Sequence, residues 1–481
     1  MKRFVQSLLK LLSNTFGTKA SFIFQILTLM QLLLTIAIIA TIHFKLLPDN
    51  ENKTYMSEIE RLGSIRFTVL FLLKLIPCLS IPFVFVNIAA FFCTNVWSDP
   101  PKFEIPKADI PFICFRVVTR GLYRNLVADN LRRNIEICQR TGIEKFKFEV
   151  VTDIALNLNA SLFVREIVVP KEYVSKNKSL HKARALHYCL EKEIDILSDD
   201  DWIVHLDEET ILTEGSVVGL ANFATKELGS IGQGVITYAS EGIVNWWTTL
   251  ADSVRVSIDI GLMKFCFQKL HRPIYGLKGS FIIVKSPVEK ALGFDFGPRG
   301  SIAEDLYFAL EAWKSGYKFN FVEGEMWEKS PFTVADYIRQ RKRWFVGRMF
   351  TLLSPSIPIK CKLVLIPTDL SWLFLPLNLL NLPISLFFPM KTPGFIILLN
   401  AIAGGLIIFL FTFGSIKSFS IRRYGLVRKL IICIWTILII PLAACMDGIA
   451  STCGFFGQLN NEFHIVQKEQ NVRERSILDD A

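Results

Sequence analysis

Ser21 to Phe44 is a run of 24 residues without a formal charge, and Leu75 to Trp97 is another of 23. A helix of about 20 apolar residues crosses a hydrocarbon core of about 30 Å, so each run is long enough to span a membrane. No other feature limits the fold as strongly, because backbone inside lipid must satisfy its own hydrogen bonds and only helices or closed barrels do that. Leu363–Met390, Gly394–Ile416 and Leu430–Ala450 repeat the pattern later in the chain. The prediction is roughly five spans around a soluble insert. With 51% apolar residues and 40 Phe the chain is too apolar for a soluble enzyme, yet its middle is too charged for a pure transporter.

The first run is longer than the roughly 7–15 residues of a signal-peptide core, and no small-x-small cleavage site follows it. Lys2, Arg3, Lys10 and Lys19 precede it with no acid among them, so the excess of positive charge predicts a cytosolic amino terminus. Loop 45–66 is charge-balanced and predicted lumenal, with Asn52-Lys-Thr54 as a glycosylation sequon. A second span returns the chain to the cytosol. Lys417 to Lys429 holds five cationic residues and no acid, which predicts another cytosolic segment. A fifth span would leave the tail after Gly454 in the lumen, unless Pro367, Pro376 and Pro383 with Asp369 make the third apolar segment interfacial or re-entrant.

Much of the +10 net charge flanks the apolar segments, so it suits anionic lipid and argues against nucleic acid. Ten scattered cysteines without a C-x-x-C pair read as reduced thiols, neither zinc ligands nor disulfides. The expected organisation is a cytosolic terminus over 1–20, two spans with a lumenal loop over 21–97, and a cytosolic domain over 98–360. About three membrane or interfacial helices over 361–455 and a tail over 456–481 follow.

From Pro106 to about Phe350 the pattern changes. Phe112–Val118, Phe146–Val151, Leu162–Val169 and Trp202–Leu206 read as buried strands, with helices at Asn125–Thr141 and Lys182–Lys192. That alternation predicts a doubly wound parallel sheet whose ligands meet the carboxyl ends of the strands. Thr119, Asp153 and Asp207 fall at such ends. No glycine-rich phosphate loop follows the first strand, which argues against a kinase and a dinucleotide dehydrogenase. A diphosphate held here needs a metal and cationic side chains.

Asp207-Glu208-Glu209 ends the fourth strand. Such carboxylates repel unless a cation sits between them, although they also suit the first turn of a helix. Glu304-Asp305 opens the helical run Leu306–Trp313, either as helix-start acids or as a base for an acceptor hydroxyl. Gln340, Arg343 and Trp344 share one helical face at i, i+3 and i+4. An amide and a guanidinium there suit phosphate oxygens, and an indole suits a sugar ring or headgroup. The same basic helix also suits anionic lipid. Acid for metal, acid for a proton and cation for phosphate is the chemistry of nucleotide-sugar transfer.

In this order, Asp207-x-Glu209 as a variant D-x-D, Glu304-Asp305 as an E-D pair and Gln340-x-x-Arg343-Trp344 as Q-x-x-R-W resemble the signature of membrane-bound inverting glycosyltransferases of family 2. Phe115-Arg-Val-Val-Thr-Arg-Gly121, His205-Leu-Asp-Glu-Glu-Thr210 and Glu328-Lys-Ser-Pro-Phe-Thr333 are similar to the invertebrate β-1,4-mannosyltransferases of that family. The resemblance implies an α/β GT-A (Rossmann-like) domain embedded between transmembrane helices, and transfer of mannose from GDP-mannose to glucosylceramide. It implies donor contacts at Thr119, Asp153, Lys182, Asp207, Gln340 and Arg343, and a divalent cation, Mn or Mg, on Asp207 and Glu209. Asp305 would be the base, with acceptor contacts at Gly279, Ser280, Glu304 and Trp344.

Because the metal motif reads Asp-Glu-Glu, both Glu208 and Glu209 stand as the second ligand. Phe463-His-Ile-Val-Gln-Lys468 resembles the F-x-V-T-x-K segment that gates polysaccharide synthases, which implies a cytosolic tail. The setting implied is Golgi or endoplasmic reticulum with the domain facing the cytosol. The same motifs serve ceramide glucosylation, mannosyl transfer to polyprenyl phosphate and polysaccharide synthesis. A catalytically silent scaffold is the reading from another class.

Overall fold

Short runs rich in β-branched and aromatic residues form the strands of one seven-stranded sheet in the computed structural model, which describes residues 19–46, 55–158 and 161–457. The strands are β1 Ile113–Thr119, β2 Phe146–Thr152, β3 Val164–Val168, β4 Trp202–Asp207, β5 Ile231–Thr237, β6 Ile282–Lys285 and β7 Phe319–Trp327, in the order β3-β2-β1-β4-β6-β5-β7. The first four are parallel. Thr119 stands opposite Thr152 and Val118 opposite Asp207, so β1, β2 and β4 finish at one edge.

The expected all-parallel sheet is corrected at β6, which runs antiparallel to both β4 and β5. A parallel strand would bring its carboxyl end to the edge where Asp207 stands. The reversed strand brings its amino end there instead, so Gly279 and Ser280 arrive beside Asp207, whose N–H donates to Ser280 Oγ at 3.3 Å. Helices pack around this sheet: α1 Arg124–Thr141, α2 His181–Tyr188, α3 Glu214–Lys226, α4 Ser286–Leu292, α5 Glu304–Lys314 and α6 Val334–Leu353. α2 stops short of the expected Lys192, because Leu190 and Glu191 bond back to His187 and Tyr188 in tight turns.

Arg116, in the middle of β1, is 0% exposed. A buried guanidinium is tolerable only among opposite charges. Glu149 on β2 meets it at 2.9 Å and Glu289 on α4 at 2.5 Å, while His205 on β4 reaches Glu289 at 2.6 Å. Burial alone would raise the Glu289 carboxyl, but His205 and Arg116 outweigh it and hold its pKa below the usual value. These bonds tie β1, β2, β4 and α4 together a few residues below the strand ends.

The described residues of Met1–Asp99, Leu250–Phe265 and Lys362–Gln458 make one compact unit, and those of Pro100–Thr249 and Cys266–Cys361 make another. In the first unit, four helices are long and apolar enough to cross a membrane: Ser21–Lys45, Ser64–Cys93, Gly394–Ser418 and Ile421–Phe456. Leu32, Val84, Phe91, Leu406, Phe409 and Phe413 form its core. Leu363–Met390 is not one span but two shorter helices, Leu365–Leu373 and Leu375–Phe387. Pro376 in the first turn of the second breaks the ladder, and at about 1.5 Å per residue neither piece crosses a hydrocarbon core. Asn52-Lys-Thr54 and Phe463–Lys468 lie outside the described residues.

Candidate active site

The acidic triplet leaves β4 in a turn closed by Thr210 N–H donating to the Asp207 carbonyl at 3.0 Å, so its three carboxylates diverge. Glu208 turns inward, 6% exposed, and accepts a hydrogen bond from the Thr119 hydroxyl. Two asparagines of α1 brace the turn from below: Asn130 Nδ2 donates to the Glu208 carbonyl at 2.9 Å and Asn134 Nδ2 to that of Thr210 at 3.0 Å. Glu209 faces a small cavity, partly open to solvent, together with Asn130, Arg133, Ser330 and Gln340.

Asp207 faces a different set of groups. Lys182 Nζ donates to Asp207 Oδ1 at 2.5 Å and to the Gly279 carbonyl at 2.6 Å. Burial alone would lower the Lys182 pKa, but Asp207, Glu304 and Asp305 outweigh it and raise it. A methyl group at Gly279 would lie 3.5 Å from Asp305 Oδ2, 3.5 Å from Lys182 Nζ and 3.7 Å from Glu304 Oε1. These groups therefore converge on one glycine.

Glu304 is buried and Asp305 half-buried at the start of α5. Burial first, and then repulsion from Asp305, push the Glu304 carboxyl up to about 7 against Lys182 and Arg343. Burial also raises Asp305, opposed by the Leu306 N–H at 2.7 Å and by the same two cations. Because burial raises the Asp305 carboxyl, a reaction that needs it ionised loses rate as pH falls through that raised value and levels above it. Glu304→Gln removes the repulsion and should move that acid limb to lower pH. Initial rates of the residual activity between pH 5 and 9 check this, and an unmoved limb would sink the pairing.

α6 carries the basic-aromatic motif. Thr333 caps it by accepting the Asp336 N–H at 3.0 Å, and Ile302, Val346 and Phe350 form a small core beneath it. Gly347 lets the helix lie directly on the turn before Glu304, since a methyl group there would fall 2.6 Å from Ala303 Cβ and 3.0 Å from its nitrogen. The close approach brings the charge of Arg343 to bear on Glu304 and Asp305. Gly347→Ala should cost about 1–3 kcal/mol of stability by overpacking and lower turnover as the helix is pushed away. Thermal melting beside a transfer assay reads both, and an unaffected melt would contradict the contact.

Of the residues anticipated from sequence, Lys182, Asp207, Gly279, Glu304 and Asp305 are brought together, with Arg343 acting on the acidic pair. Ser280 and Thr119 stand behind them: Ser280 Oγ bonds Thr210 at 2.8 Å, and Thr119 is tied to Glu208. Asp153 lies at the end of β2, 39% exposed, 3.4 Å from Arg184. Asn130, Asn134 and the Arg116 cluster were missed, although two asparagines four apart in an otherwise amphipathic helix were a usable signal.

Among the described residues no three His, Cys, Asp or Glu side chains gather as a metal site. Magnesium-type sites commonly use one or two carboxylates completed by substrate phosphates. Asp207 and Glu209 carry the oxygen donors such a cation takes, but the turn points them at different groups, Asp207 at Lys182 and Glu209 at the cavity of Gln340.

Residues 202–446 match the profile of glycosyl transferase family group 2. The chain is 42% identical over 426 residues to the β-1,4-mannosyltransferase egh of Drosophila melanogaster, covering 89% of this chain and 93% of that protein. It is 40% identical over 414 residues to the β-1,4-mannosyltransferase bre-3 of Caenorhabditis elegans, covering 86% and 91%. The chain belongs to the β-1,4-mannosyltransferase family of group 2 glycosyltransferases.

The mannosyltransferase PcManGT from Pyrobaculum calidifontis, solved with GDP-Man and Mn2+, aligns over 80% of this chain and 99% of that one at 12% identity and a TM-score of 0.46. Among β-1,4-mannosyltransferases of this kind, the sheet with its antiparallel β6 and the long apolar helices in the same chain make the protein an integral membrane glycosyltransferase with a mixed α/β GT-A-like domain.

Proposed function

We propose that the protein transfers mannose from GDP-mannose to glucosylceramide with inversion, giving a β-1,4-linked mannosyl-glucosylceramide. The observation that carries this reading is the meeting of Lys182, Asp207, Glu304 and Asp305 around Gly279, in a chain of β-1,4-mannosyltransferase type. Asp305 takes the proton of the acceptor 4-hydroxyl as that oxygen attacks the anomeric carbon. The bond from that carbon to the phosphate oxygen breaks on the opposite face, so an α-linked donor gives a β-linked product.

The departing GDP carries the bonding electrons, and Arg343, Gln340 and Lys182 donate hydrogen bonds to its diphosphate. Glu208 is committed to Thr119, which leaves Glu209 to join Asp207 in holding Mn or Mg. That ion, when bound, supplies charge stabilisation to the leaving diphosphate. Asp153 contacts the nucleoside, and Trp344 offers its indole to the glucose ring.

A cytosolic amino terminus followed by two spans leaves the domain on the cytosolic side of a Golgi or reticulum membrane, and the single span Gly394–Ser418 after it leaves the basic segment Lys417–Lys429 on the opposite face, against the expectation from its charge. The test is sugar transfer by membranes expressing the chain, given glucosylceramide and labelled GDP-mannose or UDP-glucose, with and without Mn. Mannose on glucosylceramide supports the reading. Transfer from UDP-glucose alone would replace it by ceramide or lipid glucosylation.

A further inference from the structure

Arg341 occupies one of the two unassigned positions inside Gln340-x-x-Arg343-Trp344 and is 4% exposed. Its guanidinium carbon stands 4.2 Å from the centre of the Trp344 ring and 4.3 Å from that of Tyr337. Tyr337, Arg341 and Trp344 lie at i, i+4 and i+7 on α6, so one helical face carries an aromatic ring on either side of a cation. Arg341 Nη1 also donates to Gln340 Oε1 at 3.3 Å. A guanidinium has donors only, so the amide end that meets it must be the oxygen. The Nε2 donors of Gln340, a residue that lines the cavity with Asn130, Glu209 and Ser330, are therefore left for another acceptor.

We propose that Arg341 is a positioning residue that orients two substrate contacts at once, the amide of Gln340 toward the donor diphosphate and the indole of Trp344 toward the acceptor sugar. The assignment of donor and acceptor to those two side chains rests on the reading above. One buried cation then couples the two halves of the site: the hydrogen bond fixes the amide, and the guanidinium held between the two rings fixes the indole. A lysine can replace the charge and one donor but not the planar face, and a methionine can fill the space but supplies neither charge nor donor. The two substitutions therefore separate the two tasks.

Arg341→Lys is expected to raise the acceptor KM about fivefold or more with GDP affinity close to wild type, and Arg341→Met to weaken GDP affinity by a similar factor. GDP affinity is read by thermal shift of the full-length protein in detergent, which needs no turnover. The deciding measurement is a pair of double-mutant cycles. In a Gln340→Ala background Arg341→Met should weaken GDP binding no further, and in a Trp344→Ala background Arg341→Lys should leave the acceptor KM unchanged.

A residue that merely supports the fold would give additive losses in both backgrounds and lower the melting temperature equally for Lys and Met, and that result overturns the proposal. If the wild type uses another sugar nucleotide or lipid, the substrate reading falls. The same cycles run with the nucleoside diphosphate and acceptor it does use still decide the role of Arg341.

Discussion

Asp305→Asn is expected to lower turnover by about 10²–10⁴-fold while GDP-mannose binding stays near wild type. The substitution keeps the shape of the side chain and an oxygen for the Leu306 N–H, now bonded to Asp305 Oδ1 at 2.7 Å, so the start of α5 should hold. What is lost is the negative charge and, in the proposed mechanism, the proton acceptor. The Glu304 carboxyl, freed of its charged neighbour, should at the same time titrate lower, because repulsion from Asp305 is the second cause of its rise after burial. Single-turnover transfer set beside GDP-mannose protection against thermal unfolding separates the two effects. A variant that loses donor protection in step with turnover would move the base elsewhere, with Glu304 next in line.

Asp207→Ala attacks the other half of the reaction. Asp207 is the partner of Lys182 at 2.5 Å and, in the proposed mechanism, the first ligand of the divalent cation. Removing it should weaken donor binding and lower turnover by on the order of 10²–10³-fold. In the wild type a chelator should abolish most transfer and added Mn should restore it, whereas the residual activity of Asp207→Ala should not respond to either. Mn titrations of both proteins test this, and a variant that still answers to Mn with wild-type affinity would remove Asp207 from the ion. Glu209→Ala gives the comparison that the divergence of the acidic turn makes necessary, since Glu209 faces the cavity of Gln340 and Ser330 while Asp207 faces Lys182.

Much of this site is readable in one dimension because its residues belong to local patterns. Asp207 ends an apolar run, Glu304 and Asp305 begin a periodic one, and Gln340, Arg343 and Trp344 fall on one helical face whatever the rest of the chain does. Arg341 shows where such reading stops. Its spacing equals that of any basic residue on a membrane-facing helix, and only the positions of Tyr337 and Trp344 on the folded helix turn it inward. Asn130 and Asn134 are a similar case, as polar residues of a helix whose partners lie almost eighty positions away.

The membrane helices follow from length and charge alone, since a bilayer asks only for about 20 apolar residues in a row. The break within Leu363–Met390 was signalled by its prolines, but whether such a segment spans depends on where the helix restarts, which is a matter of backbone geometry at Phe374 and Pro376.

By itself the sequence determined the division into apolar helices and an α/β domain, the four parallel strands that begin the sheet, and the acidic and basic residues available for chemistry. These are consequences of periodicity and charge, which act over a few residues. Only the tertiary structure decided that β6 runs backward to deliver Gly279 beside Asp207, and that Lys182 closes on both of them. It also decided that Gly347 lets α6 lie on the turn before Glu304, and that Glu208 turns inward while Glu209 does not. Each of these depends on contacts between segments far apart in the chain, where packing and the pairing of buried charge choose among arrangements that local pattern leaves equal.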